Sequence, residues 1–111
     1  MESQKIAEDL ARELEGLTGD AIDEFVEECL ELVVIFRLSV GNKANPDPSG
    51  VELLVSYGGP STRVTSRMGS DYLTISVNWW DDSYETRAYA PGLANYLNDV
   101  ADCHQELNNE Y

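Results

Sequence analysis

Carboxylate side chains dominate the groups in this chain that could do chemistry. The 111 residues include 21 aspartates and glutamates but only seven lysines and arginines, and the formal net charge is −14 at pH 7. The net charge is −9 over residues 1–31, +1 over 32–80 and −6 over 81–111. A surface of this sign repels phosphate, so it disfavours direct binding to DNA, RNA or anionic lipid and favours a basic protein partner.

The acids are densest between residues 20 and 31, where they follow a helical spacing. Residues three or four apart lie on one face of a helix, and like charges at that spacing cost about 0.2–0.5 kcal/mol per pair. Stability alone would have placed lysines among them, so we expect this acidic row to bind a partner. Its predicted members are Asp20, Glu24, Glu27, Glu28 and Glu31, and a possible second row is Asp99, Asp102 and Glu106.

A second candidate site is the run Trp79-Trp80-Asp81-Asp82-Ser83-Tyr84, which puts aromatic residues beside acids at a predicted hairpin tip. Aromatic residues are common anchors at protein interfaces. By strand alternation Trp79 belongs to the core face and Trp80 to the opposite face. We therefore include Trp80, Asp81 and Asp82 among the candidate partner-binding residues. The alternative is that a neighbouring helix or loop covers Trp80.

The sequence predicts no catalytic residues, no cofactor and no metal site. The single histidine, His104, has no serine or cysteine arranged as a nucleophile, and Gly58-Gly59 lacks the lysine and spacing of a phosphate-binding loop. Adjacent helix positions point about 100° apart, so Cys103 and His104 do not readily face one metal ion. We expect Cys29 and Cys103 to be buried thiols that are not linked to each other.

Two helices must position the first acidic row. Apolar spacing predicts a first helix over about residues 3–15, ended by Gly16, and a second from an N-cap at Thr18 to about residue 35. The alternation of Phe36, Leu38 and Val40 with polar residues leaves a strand as the alternative at that end. Two prolines, two glycines and two asparagines predict a loop over residues 41–50.

Four strand patterns follow, and the short turn-like breaks between them predict an antiparallel meander. Arg63, Thr65 and Arg67 would share its polar face, where we expect the arginines to pair with nearby carboxylates. The alternative is an anion-binding site. Pro91 begins a closing helix. The apolar stripe of this helix is Leu93, Leu97, Val100, His104 and Leu107. The predicted fold is a single α+β domain with two N-terminal helices, a four-stranded antiparallel sheet and a C-terminal helix.

In its size, its acidic face DxxxExxEExxE at residues 20–31 and the acids of its last helix, the chain resembles small phage-encoded DNA-mimic inhibitors, among them anti-CRISPR and anti-restriction proteins. Acids four apart recur about every 6 Å along a helix, and one DNA strand offers a phosphate about every 3.4 Å. These inhibitors share no fold, so the resemblance implies only a mechanism. The expected function is non-enzymatic inhibition of a host defence complex, such as a CRISPR effector, by occupying its nucleic-acid-binding surface.

Two other interpretations of the sequence stay open. A secretion-chaperone or immunity-type protein would grip one cognate partner through its sheet or an apolar patch, and its acids would serve solubility. A domain from a salt-adapted organism would carry the same acids without any partner. The most hydrophobic run, 32–36, is much shorter than the roughly 18–20 residues that span a bilayer. The acidic N-terminus is unlike a signal peptide. We therefore expect no membrane partner and a cytoplasmic location, in the host cell if the chain is phage-encoded.

Overall fold

The computed structural model describes the backbone of residues 2–39 and 42–109 and the side chains of residues 2–36 and 49–103. The helices and strands within these ranges are α1 (Glu2–Glu15), α2 (Asp20–Glu28), β1 (Glu31–Ser39), β2 (Asn42–Ser56), β3 (Ser61–Arg67), β4 (Tyr72–Trp79), β5 (Asp82–Tyr89) and α3 (Pro91–Asn109). The predicted α+β class, the antiparallel meander and the flanking helices are confirmed. The predicted number of four strands is wrong, because the sheet has five.

The first and last helices match their predicted bounds, and the second does not. α1 ends at Glu15, directly before Gly16, and α3 begins at Pro91. α2 ends at Glu28 instead of residue 35, and its N-cap is Gly19 instead of Thr18, without a side-chain cap. No helix in the described ranges is long and apolar enough to cross a membrane.

β1 replaces the predicted second half of α2. Its residues include Val33, Val34 and Ile35, whose branched side chains fit a pleated sheet better than a helix. The backbone N–H of Leu30 already donates a 2.8 Å hydrogen bond to the carbonyl of Leu54 in β2. The helical spacing of apolar residues continues past residue 29. The segment nevertheless forms a strand, because β2 supplies partners for its backbone hydrogen bonds.

β2 begins at Asn42, so the loop predicted over residues 41–50 is wrong for the described part of that segment. Between Asn42 and Pro48 the strand pairs with β1, and the pairing with β3 begins only at Gly50. One edge of this stretch is therefore not paired with another described strand. Proline is tolerated where its missing N–H would face such an edge, which is why Pro46 and Pro48 do not exclude a strand here.

The five strands pair in sequence order, β1-β2-β3-β4-β5, and every neighbouring pair is antiparallel. One face of the sheet, which we call the inner face, is covered by helices: α1 packs on β4 and β5, and α3 packs on β2 and β3. The core lies between these two layers. Its buried apolar strand residues are Val51, Leu53, Val64, Leu73, Ile75, Val77 and Ala88, which meet Ala7, Leu10, Leu14, Leu93, Ala94, Leu97 and Ala101 from the helices.

The opposite, outer face carries mostly polar side chains, together with the half-exposed Tyr72 and Tyr89, and no described helix covers it. Arg63 and Arg67 are exposed there, while the alternate residues Thr62, Val64 and Ser66 are buried. Arg63 donates a 2.7 Å hydrogen bond to the Glu52 carboxylate on the neighbouring strand. The expected pairing of an arginine with a carboxylate is thus confirmed at Arg63.

Gly50 is required by the close approach of β2 to β3. A Cβ atom at this position would overlap the backbone carbonyl oxygen of Ser66, and backbone cannot swing aside as a side chain can. We expect Gly50→Ala to lower the free energy of unfolding by about 2 kcal/mol or more, the cost of overpacking. Urea denaturation followed by circular dichroism measures the change.

Gly16→Ala is the matched control for this prediction. A Cβ atom at residue 16 would meet only the carbonyl oxygens of Arg12 and Glu13, both at the ordinary contact distance of 3.7 Å. We expect the stability to stay unchanged or to rise by up to about 1 kcal/mol, because alanine reduces the entropy of the unfolded chain. Equal stability of the two variants would contradict the close β2–β3 approach.

Candidate functional site

The structure separates the charges of the chain by layer. The three helices carry thirteen acidic residues and two basic ones, a net charge of −11. The five strands carry five acidic and five basic residues, so the sheet as a whole is neutral. The acidic character therefore belongs mainly to the helices.

α2 holds the predicted acidic row on its solvent side. Its nine residues contain five acids and no base, and Asp20, Glu24, Glu27 and Glu28 are all exposed. Ile22 is buried on the opposite side, with Phe25 and Val26 packed against the core. The amphipathic spacing thus gives the helix one anchored side and one acidic side.

The sequence predicted that Glu31 continues this row. That placement is wrong, because Glu31 begins β1. It pairs in register with Leu54 and lines a small cleft with Glu52 and Arg63. The hydrogen bond from Arg63 to Glu52 and the charge of Glu52 raise the pKa of Arg63, and the charge of Glu31 adds to the effect. Glu31 therefore belongs to a sheet-edge charge cluster and leaves four predicted acids on α2.

Asp23 is a further exposed acid of α2, although the predicted row did not include it. Partial burial and the nearby carboxylates of Asp23 and Glu27 raise the pKa of Tyr96 on α3. These effects show that the acids of α2 border the neighbouring helix. The sequence held the signal, since Asp23 and Glu27 are four residues apart on one helix.

The second predicted row lies on α3, next to this junction. Asp99 and Asp102 are exposed, and Asp99 follows Tyr96 by one helical turn. Glu106 lies within the helix, but its side chain is outside the described ones. The structure thus brings α2 and the first half of α3 together, and we call their exposed acids, Asp20, Asp23, Glu24, Glu27, Glu28, Asp99 and Asp102, the acidic surface.

Several acids of α1, by contrast, have partners within the protein. Glu15 accepts a 3.1 Å hydrogen bond from the backbone N–H of Tyr89, and Glu8 accepts one from Gln4. Asp9 lies 4.0 Å from the Arg12 guanidinium. The two ion pairs of the described side chains, Arg12 with Asp9 and Arg63 with Glu52, both lie outside the acidic surface. Among the described side chains, the charge of this surface is therefore not neutralised by ion pairing.

The predicted hairpin tip is confirmed as the two-residue connection Trp80-Asp81 between β4 and β5. Asp82 has a structural contact: its carboxylate accepts a 3.3 Å hydrogen bond from the backbone N–H of Ser3 in the first turn of α1. The Ser3 hydroxyl donates to the backbone carbonyl of Asp82 at 3.3 Å. A carboxylate at a helix N-terminus is stabilised by the helix dipole. The contact with α1 therefore explains an acid at position 82 without a partner protein.

Trp80 projects from this tip and is 90% exposed. It is not part of β4, so the strand alternation used in its prediction does not apply, and no helix or loop of the described residues covers it. Trp79 is half-buried, and its ring lies edge-to-face with that of Trp80, with centroids 6.4 Å apart at 85°. The two rings line a cleft of about 400 Å³, together with Tyr57, Gly58, Gly59, Ser61 and Asn78. We call this the aromatic cleft.

The two cysteines are free, but the expectation that both are buried is wrong. Cys103 is exposed and Cys29 is half-buried at the end of α2. The Cys29 thiol donates to the carbonyl of Phe25 at 3.3 Å, and partial burial with the charge of Glu28 raises its pKa to about 11. Among the described side chains, no group of three or more histidine, cysteine, aspartate or glutamate residues is arranged to hold a metal ion.

Comparison of the chain with protein-family models, with curated proteins and with solved structures finds no match. The function is therefore inferred from the surfaces of the chain itself.

The raised pKa of Cys29 predicts slow and steeply pH-dependent alkylation. Only the thiolate reacts, and below a pKa of about 11 it is the minor form, so its fraction rises tenfold per pH unit. In the Cys103→Ala variant we expect the rate with iodoacetamide, followed by mass spectrometry, to rise in this way from about pH 7 to 10. In urea the rate should level off near the ordinary cysteine pKa of about 8.5. A folded-state rate that already levels off below pH 9 would refute the prediction.

Proposed function

We propose that this chain is a non-enzymatic binding protein whose acidic surface covers a basic, nucleic-acid-binding surface of another protein. In this proposal it acts as a DNA-mimic inhibitor of a host defence complex such as a CRISPR effector. One observation carries the proposal. The nine residues of α2 present five acids and no base, and none of these acids is in an ion pair of the described side chains.

The spacing of these acids suits a surface that ordinarily binds phosphates. Asp20 and Glu28 are eight residues apart, which is about 12 Å along a helix axis, and a DNA strand offers three to four phosphates over that length. Glu24 and Glu27 fall between them, and Asp99 and Asp102 add charge on the neighbouring helix. Lysines and arginines that bind phosphate would gain charge-assisted hydrogen bonds from these carboxylates.

The neutrality of the sheet supports a directed interaction. If the acids served solubility alone, there would be no reason for them to be concentrated on the helices while the strands hold equal numbers of both signs. A charge of −11 on one layer orients the protein as it approaches a basic partner, and this raises the association rate. The partner would then meet the helical layer first.

The test replaces three acids of α2 with their uncharged isosteres, in the variant Glu24→Gln, Glu27→Gln, Glu28→Gln. Glutamine keeps the size and helix propensity of glutamate, so the helical circular dichroism should be unchanged. The measurement is displacement of labelled duplex DNA from purified CRISPR effectors and restriction enzymes. We expect the wild-type chain to displace DNA from at least one of them, and the variant to do so at least about tenfold more weakly, because three charge-assisted contacts are lost.

A matched control makes the same change of charge on α1, in the variant Glu2→Gln, Glu8→Gln, Glu13→Gln. The net charge rises by the same three units, so any effect of total charge on association is equal in the two variants. We expect the α1 variant to keep most of its activity. Equal losses in both variants, or no displacement by the wild-type chain from any enzyme tested, would refute the proposal.

Charge steering also predicts a salt dependence of the binding kinetics. The association rate with the target should fall several-fold between about 0.05 and 0.3 M salt, while the dissociation rate changes less. Stopped-flow mixing measures both rates. An association rate that does not respond to salt would favour recognition through apolar contacts.

The second candidate function is a chaperone or immunity-type protein that binds one partner through its sheet. The observation in its favour is the edge strand β1, where Leu32 is 36% exposed and Val33 43% exposed, next to Leu30 at 64%. An exposed strand edge can pair with an extended segment of another chain. In that case Val33→Lys would abolish binding. The variant Glu24→Gln, Glu27→Gln, Glu28→Gln would bind as well as the wild type.

A further inference from the structure

We propose that the aromatic cleft at the tip of the β4–β5 hairpin binds a cationic side chain, an arginine or a lysine, of the basic partner. The identity of the partner rests on the proposed function, whereas the chemistry of the cleft rests on its own residues. The site is distinct from the acidic surface, because it is built from the β2–β3 and β4–β5 connections and the ends of β3 and β4 beside them.

The geometry of the two tryptophans suits a cation. Their rings stand at 85° to each other with centroids 6.4 Å apart, so they form two walls at nearly a right angle. Tyr57, which is 73% exposed, lines the same cleft from the β2–β3 connection. Aromatic faces carry negative partial charge and attract ammonium and guanidinium groups, and several such faces around one space form the known type of cage for cations.

Neither the exposure of Trp80 nor its backbone conformation is explained by the stability of the fold. Its side chain is 90% exposed, so it contributes little to the core, and its backbone has φ of 56°, a left-handed conformation that favours glycine. A residue that is both exposed and unsuited to its turn points to a use outside the fold. Indole is also the side chain that binds cations best among the aromatic residues.

The charges around the cleft fit an external cation. None of the residues that line it is charged, and the exposed Asp81 follows Trp80 directly. Two arginines of the sheet are engaged elsewhere: Arg63 is hydrogen-bonded to Glu52, and Arg87 lies over the ring of Tyr72 at 5.1 Å from its centroid. The net charge of −14 attracts cations to the whole molecule, and the aromatic faces give this place the specific contact.

The experiment titrates the full chain with an acetylated, amidated Gly-Arg-Gly peptide in about 0.15 M salt and follows the indole N–H signals of Trp79 and Trp80 by NMR. The matched peptide Gly-citrulline-Gly has nearly the same shape without the charge. We expect saturable shifts of both indole signals with arginine, and about threefold to tenfold weaker binding with citrulline. Equal binding of the two peptides, or no shift with arginine, would overturn the proposal.

Trp80→Gly is the decisive variant, because glycine removes the ring and suits the positive φ of the turn. The remaining amide spectrum should show a folded protein, and the shift of the Trp79 signal with the arginine peptide should be largely lost. Tyr57→Ala, at an exposed position, should weaken binding independently of the hairpin. A Trp79 shift of wild-type size and midpoint in Trp80→Gly would overturn the cleft as the binding site.

The same titration separates this inference from the proposed function. In the variant Glu24→Gln, Glu27→Gln, Glu28→Gln the indole shifts should persist, because the three acids do not line the cleft. If the shifts are absent in the wild type while the acidic surface still displaces DNA from its target, the inference fails and the proposed function stands. If the shifts are present and DNA displacement fails, the proposed function fails and the cation-binding cleft stands.

Discussion

One face of the five-stranded sheet carries most of the apolar side chains of the strands, and this face must be buried for the protein to fold. Val51, Leu53, Val64 and Ile75 are fully removed from solvent by the helices that cross them. Burial of an aliphatic side chain contributes about 1.5–3 kcal/mol, so this one contact between two layers supplies most of the driving force for folding. The helices are therefore fixed on one side of the sheet, and the other side is left to polar residues.

The distribution of charge follows from this arrangement. A helix that covers a sheet has one apolar side and one solvent side, and here the solvent sides of α2 and α3 are acidic and carry no base within the described side chains. The helices hold their like charges close together because their apolar sides are anchored in the core, as Ile22 anchors α2. Repulsion of a few tenths of a kcal/mol per pair is small beside that burial. The core thus stabilises a surface that the acids alone would disfavour.

The contact between α1 and the β4–β5 hairpin links the core to the aromatic cleft. Ser3 at the start of α1 donates two hydrogen bonds to Asp82, directly after the Trp80-Asp81 turn. Glu15 at the end of the same helix accepts a hydrogen bond from Tyr89 at the end of β5. β5 is therefore hydrogen-bonded to the helix at both of its ends, beside the turn from which Trp80 projects. The acidic surface and the cleft are built from different elements of one domain.

Local patterns in the sequence determined α1, the strands β3 to β5 and the start of α3, because their spacing, turns and caps involve only residues near each other in the chain. The segment from Leu30 to Ser39 was decided by tertiary structure, since its apolar spacing suits a helix or a strand and only the pairing of β1 with β2 selects the strand. That selection moved Glu31 from the acidic row to the sheet. The same pairing makes Asn42 to Gly50 part of β2, although the prolines and glycines of this stretch favour a loop. The contacts of Asp82 with Ser3, 79 residues earlier, and of Asp23 with Tyr96 join residues far apart in the chain, so no local pattern predicts them. The sequence alone determined the excess of acids and the places where they are dense, whereas the packing of helices on one face of the sheet decided which of them form one surface.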